Sequence, residues 1–519
     1  MKSAWFGKWR WVPVMLLCAA LAACGGGSGG SKGGDAKEAD TSKFVTVSYL
    51  MLGDKPTNGQ LEKVMEKVNA ILKERVNAHL ELQWIEWADW LTKYNLALAS
   101  GEPLDLITIG TDWLDTWANA QKGAFLPLDD LLPKYAPVTW SEVPDDHWEQ
   151  SKYNGKIVLI PEDQYTQWVN HGFFYRGDWA KEFGINEPIR DWQTFGRYLQ
   201  GIVDHKPDVI PWDVNGTKNE PMMGYIISHT DALELPITTG WFPVIWAKSY
   251  EEKYTAYSPV FDDTMIEFAK TMKEWADKGY WRKDVLNYKG DTREELLTGL
   301  TGADQHHTQT YSTLRVQMDE RQPGSELQMF PFALQRGNNL LEMSITHGGT
   351  SIGAHSRNPE RALMVYDLLR NDEELYRLFN YGIEGVQYEI KDGKRVRPEG
   401  YDETRDSFYS NFWGGRMDKY EIPSDTVYEN IGELYAEYDK VKKPYPYGRF
   451  VFDKTPIEAE LAAMSQVTAS QGPAIAYGQV SDPVQAVEKL RSDLKAAGFD
   501  KVMAEIQKQL DEFRKMVGD

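Results

Sequence analysis

Cysteine is nearly absent: the 519 residues contain two, Cys18 and Cys24. Cys18 lies within an apolar N-terminal stretch that reads as a removable leader, so a mature chain keeps only Cys24. That excludes disulfides, a cysteine nucleophile and thiolate metal sites. Positive charge is also short. Lys and Arg number 57 against 78 Asp and Glu, a net charge of −21, and such a surface repels phosphate backbones. Nucleic acid is therefore not an expected partner. Phosphate cradles are missing, because the Gly-Lys pairs at Gly7, Gly155 and Gly393 lack the earlier Gly and the following Ser or Thr of a P-loop. Histidine is scarce, at nine residues, and His306-His307, its adjacent pair, is not part of an H-E-x-x-H arrangement, so no zinc or other metal is expected. No cofactor motif is present.

What is there describes a core-forming protein, 42% hydrophobic and 26% charged, which fits neither a disordered, a collagenous nor a polytopic membrane chain. Its length exceeds one ordinary domain about threefold, which predicts two large lobes. Lys2, Lys8 and Arg10 precede the apolar residues 12–23, too few to cross a ~30 Å hydrocarbon layer but suited to a signal peptide. The stretch ends in Leu21-Ala22-Ala23-Cys24, which resembles the bacterial lipobox. Residues 1–23 are thus expected to be a lipoprotein signal peptide, with Cys24 the lipidated, palmitate-bearing first mature residue. Residues 24–43, rich in Gly, Ser and charge, read as a flexible tether holding the rest at the extracellular face of the cell membrane by lipid alone.

Beyond the tether, residues 44–52 (FVTVSYLML) alternate as a strand does, 60–78 carry apolar residues at helical spacing, and 80–84 alternate again. A second helix over 89–100 ends at Gly101, and 105–110 (DLITIG) has the continuous apolar character of a buried parallel strand. Strands are also expected at 156–160 and 173–175, and helices at 178–183, 192–203, 263–278 and, broken at Gly498, over 482–517. Strand-helix alternation with short connections implies βαβ units, with ligands bound beyond the carboxyl ends of the strands. Those ends are Glu86-Trp87 and Thr111-Asp112-Trp113.

Six ordered segments carry a family likeness: 95–131 (NLALASGEPLDLITIGTDWLDTWANAQKGAFLPLDDLL), 153–161 (YNGKIVLIP), 174–184 (FYRGDWAKEFG), 358–371 (NPERALMVYDLLRN), 380–388 (NYGIEGVQY) and 494–510 (LKAAGFDKVMAEIQKQL). Across essentially the whole mature chain they resemble the family 1 extracellular solute-binding lipoproteins of sugar-type ABC transporters, and within them the LipO- and LplA-type group of Gram-positive bacteria. The resemblance implies an α/β, two-lobed, periplasmic-binding-protein-like (Venus-flytrap) fold with discontinuous lobes and C-terminal helices, closing on a solute without catalysis. It implies a first lobe from 44–160 plus about 345–410, a second from about 165–340 plus about 411–480, and C-terminal helices over 481–519. The implied partners are an oligosaccharide-like solute and the permease subunits of an ABC transporter, with the protein itself a monomer.

Two alternatives stay open on sequence alone. A glycoside hydrolase needs only two carboxylates about 5 to 9.5 Å apart, and 78 acids supply many pairs. An oligopeptide receptor needs main-chain partners and a site for charged termini. An esterase is disfavoured: Ser351 sits in a G-x-S-x-G pattern, but His355, the His that follows it, is too near in the chain to act from a separate loop. Asp213 begins an oxygen-rich stretch without the bidentate Glu of a calcium loop. The positive signal is aromatic. Trp84, Trp87 and Trp90 recur at three-residue spacing around the first strand-to-helix loop, Trp113 and Trp117 occupy the next, and Trp212, Trp241, Trp246 and Trp281 follow. A pyranose has a flat apolar face and a rim of hydroxyls, so indoles beside acids, amides or imidazoles satisfy both. The expected ligand-binding residues are Trp87, Trp90, Asp112, Trp113, Trp212, Asp213, Trp241, His306, His307 and Gln309. The resemblance sets the last three at a strand end facing the cleft.

Overall fold

A computed structural model describes residues 40–87, 89–164, 170–214, 221–237 and 243–519. The signal peptide, Cys24, most of the tether and Trp241 lie outside the described residues. The chain from Ala39 to Asp519 is one compact unit. Its β1 (Val45–Leu52), α1 (Gln60–Val76), β2 (Ala78–Ile85), α2 (Trp90–Ala99) and β3 (Leu106–Ile109) follow one another as the periodicity predicts. β1 pairs in parallel with both β2 and β3, so it is central and buried on both faces. Val47, Tyr49 and Met51 point to one hydrophobic cluster, and Leu50 and Leu52 to another. The sequence reads as alternating, but the structure buries both faces from Val47 to Leu52, because β1 has a strand on either side and a cluster above and below it.

The sheet is mixed rather than wholly parallel. Gly349–Ile352 runs antiparallel to β3, and Ile160–Pro161 antiparallel to that strand in turn, giving a five-stranded sheet. The single strand expected over 156–160 is divided: Lys156–Ile157 forms a small hairpin with Lys152–Tyr153, and only Ile160–Pro161 joins the main sheet.

The second lobe is built on three antiparallel strands, with His171–Arg176 between Ala303–His307 and Leu327–Pro331. Helices Trp192–His205 and Asp263–Asp277 cover it, and the C-terminal helices Pro483–Ala496 and Phe499–Val517 complete the same core through Val487, Leu490, Val502, Ile506 and Leu510. Phe412 belongs to the core of the first lobe. The architecture is a two-lobed α/β fold. No described helix is long and apolar enough to cross a membrane.

One buried ion pair ties the edge of the first sheet to its covering helix. Arg370, on helix Pro359–Asn371, has no exposed side-chain surface; it pairs with Asp163 and donates to the Pro161 carbonyl at 3.0 Å. Asp163 has a positive φ of 41°, a conformation that Asp and Asn tolerate better than other side chains. Asp163→Asn keeps that tolerance but removes the charge. We expect it to cost about 3 kcal/mol in urea denaturation, because it strands a buried guanidinium, with Arg370→Met/Asp163→Asn recovering part of the loss.

Candidate functional site

The site is organised by bonds between the carboxyl end of β3 and residues 346–348, which lead into the antiparallel strand. Thr111 N donates to the Thr346 carbonyl at 3.0 Å, and the two threonine hydroxyls lie 2.6 Å apart. Trp113 Nε1 donates to the His347 carbonyl at 2.7 Å. Asp112 Oδ2 lies 2.9 Å from His347 Nδ1. Gly110 is required by this close approach, since a Cβ there would lie 2.6 Å from the His347 carbonyl and collide with the Trp113 indole.

On this base stands a group of indoles. Trp87 and Trp413 are stacked, with ring centroids 5.4 Å apart and planes 16° from parallel. Trp113 lies 6.2 Å from both, and Trp90 meets its edge at 5.5 Å. The His347 ring is 6.0 Å from Trp113. Trp87 is 39% exposed, which leaves it available to a ligand. The structure thus brings Trp87, Trp90, Asp112 and Trp113 together, and adds Trp413 and His347, which the sequence reading did not select as ligand residues. Their signals were present but weak: Trp413 precedes Gly414-Gly415 and His347 precedes Gly348-Gly349, runs that allow close backbone approach. Gly414 indeed lies against the Gly349 backbone.

Glu162 is the chemically unusual member. It is 5% exposed, and its carboxylate makes no hydrogen bond or ion pair among the described residues. Burial pushes its pKa up to about 8, against the partial opposition of His347, Arg416 and Arg370, with Asp112 adding to the rise. For His347 the balance reverses: burial pulls the imidazole down, but Asp112, by charge and hydrogen bond, and then Glu162 raise it overall.

Residues of the second lobe complete the surroundings. His171, His306 and His307 form a cluster with ring centroids 4.1 to 5.8 Å apart. Burial lowers His171 to about 4 and His307 to about 3, the latter also feeling the charge of His347, and lowers His306 further. All three are neutral imidazoles at neutral pH. His307 caps helix Thr308–Arg321, and Gln309 is half-buried beside it. Burial raises Tyr445 well above its usual range, and both Asp112 of the first lobe and Glu234 of the second contribute. Among the described residues no His, Cys, Asp or Glu group is placed to hold a metal.

Two expected ligand residues are placed elsewhere. Trp212 has no exposed surface; it packs edge-on to Phe173 and Trp281 at 4.9 and 5.9 Å in the second core. Asp213 is equally buried, and its carboxylate is taken by Arg282. Neither offers a face to a solute in this arrangement. Ser351 is fully buried in its strand and its Oγ has no partner among the described residues, so it is not an activated nucleophile.

Comparison with known proteins places this geometry. The profile of the bacterial extracellular solute-binding protein family matches residues 57–374, and that of a domain of unknown function matches 446–515. The chain belongs to the bacterial extracellular solute-binding protein family. It is 27% identical over 510 residues, 97% of each chain, to a carbohydrate ABC transporter substrate-binding protein of Streptococcus pneumoniae. Lipoprotein LipO of Bacillus subtilis is 21% identical over 420 residues, 74% of each chain. The crystal structure of the N-glycan transport solute-binding protein of Streptococcus pneumoniae superposes with a TM-score of 0.72 at 22% identity, covering 91% of this chain and 99% of that one. This solute-binding protein is therefore a binder, not an enzyme, and the hydrolase alternative falls.

The buried Glu162 makes stability depend on pH. Its folded pKa is raised from 4.5 to about 8, so its contribution is full below about 4.5 and is lost as pH rises towards 8. Thermal melts across that window should show wild type losing up to roughly 1.4 kcal/mol per pH unit relative to Glu162→Gln. Parallel curves for the two proteins would contradict the assigned burial.

Proposed function

We propose that this chain captures an oligosaccharide between its lobes and delivers it to the permease of an ABC transporter. The observation that carries this is the indole platform of Trp87, Trp413 and Trp113 beside the Asp112–His347 pair. Stacked indoles receive the apolar faces of successive sugar rings, while the carboxylate and imidazole take the hydroxyls. His306, His307, Gln309 and Tyr445 supply the opposite wall, and Trp90 braces the platform at the edge of Trp113. Trp241 is kept as a candidate contact of the second lobe on its sequence position alone. The names of similar proteins support a carbohydrate: one is a carbohydrate ABC transporter substrate-binding protein, and the N-glycan transport protein has been crystallised with Man1GlcNAc. Contacts made by both lobes at once favour the closed form, which a permease then recognises.

The protein is proposed to act as a monomer anchored at the extracellular face of the membrane through lipid on Cys24, a location supported by the family and by its likeness to LipO. Cys24→Ser should release it into the medium or leave it unprocessed, as membrane fractionation would show; unchanged retention would remove the anchor.

Alanine substitution separates platform from core. Trp87→Ala and Trp413→Ala should each weaken oligosaccharide binding by about tenfold to hundredfold, at ~1.4 kcal/mol per decade, with little loss of ligand-free stability. Trp212→Ala should instead lower ligand-free stability by about 3 to 5 kcal/mol. Calorimetric titration with paired melting distinguishes them.

A further inference from the structure

A buried acid without a partner is expensive unless something supplies one, and among the described residues the Glu162 carboxyl has none. The guanidiniums that influence it are engaged elsewhere: Arg370 is held by Asp163, and Arg416 reaches Asp418 at 3.0 Å and Glu421 at 3.5 Å. Position explains how the carboxyl comes to be there. Glu162 N donates to the Gly348 carbonyl at 3.0 Å, and a Cβ on Gly348 would collide with Glu162 Oε2 while lying 3.6 Å from Trp413 Cβ. The missing side chain at residue 348 is the space the carboxyl occupies. Its neighbours, Gly348, His347, Trp413 and Asp112, are the residues that build the indole platform.

We propose that Glu162 reads the ligand: the carboxyl, unpaired among the described residues, takes its hydrogen-bond partner from a hydroxyl of the bound neutral sugar. This rests on the oligosaccharide reading above and adds the residue that selects an uncharged hydroxyl over an anionic group. The carboxyl acts in its protonated form, which both donates and accepts, as a sugar hydroxyl does. The charged and titratable groups facing it are His347 and Asp112 from the platform, Arg370 from helix Pro359–Asn371 and Arg416 from the segment after Trp413. Their mixed signs leave the neutral acid favoured, consistent with its raised pKa of about 8. Lobe closure removes more water and strengthens that preference.

Isothermal titration of the full chain with Man1GlcNAc, Man5GlcNAc and kestose tests this at about pH 6 and about pH 9, on either side of the carboxyl's titration. Wild type should bind about tenfold more weakly at the higher pH. Glu162→Gln, neutral and of the same shape, should bind within about threefold of wild type at the lower pH and show a smaller pH dependence than wild type, that of His347 remaining. Glu162→Leu, and Gly348→Ala, which displaces the carboxyl, should lose about tenfold or more at both pH values with melting curves intact. Wild type that binds equally at both pH values overturns the proposal, even where Glu162→Leu does not fold. So does Glu162→Leu that binds like wild type, or Glu162→Gln that loses as much as Glu162→Leu. Folded wild type that binds none of the three sugars overturns the oligosaccharide reading itself, and this inference with it.

Discussion

The bonds joining Thr111, Asp112 and Trp113 to Thr346 and His347 are the constraint on which the site depends. They fasten the end of β3 to a segment more than 230 residues later in the chain, at the point where that segment re-enters the first sheet. Each buried neutral hydrogen bond is worth about 1 kcal/mol, and the Asp112–His347 contact more because it is charge-assisted. Their larger effect is positional. With the His347 carbonyl fixed by the Trp113 indole, the Trp113 ring is fixed too, and Trp87, Trp90 and Trp413 gather around it. The Glu162 carboxyl then sits where a side chain on Gly348 would be, with Trp413 beside it.

The chemistry of the cleft is that of an apolar surface with a few neutral or compensated polar groups. Asp112 is balanced by His347, and the three histidines of the second lobe are held neutral by burial. A net charge of −21 over the whole chain adds a field unfavourable to anions. The site therefore favours a ligand that offers flat C–H faces and hydroxyls rather than charge, which describes a neutral sugar better than a peptide with ionised termini. The antiparallel sheet of the second lobe, whose core the C-terminal helices share, gives the histidine cluster a packed base.

Much of the fold was legible because burial leaves a periodic trace. The strand at β1, the helical spacing of α1 and the long C-terminal helices all follow from residue types a few positions apart, although the burial of β1 on both faces does not. The antiparallel additions to the first sheet were not legible, since Gly349–Ile352 and Ile160–Pro161 are short and their partners lie far away in sequence. The tryptophans divide in the same way. Trp87 and Trp113, which follow strand ends that could be located, lie together in the structure. Trp212 was selected on the same residue type and proved to be core, because an indole packs against Phe173 and Trp281 as readily as against a sugar ring.

The sequence by itself determined the residue classes: an acidic, nearly cysteine-free chain, rich in Trp, with strand-helix alternation in its first hundred described positions and a likeness that pointed to solute capture. Tertiary structure alone decided which indoles gather at the end of β3, that Trp413 stacks on Trp87, and that Glu162 sits buried with its carboxyl unpaired among the described residues. The reason is physical. Periodicity and composition report on neighbours along the chain, whereas exposure of an indole and desolvation of a carboxyl depend on atoms brought together from segments hundreds of residues apart.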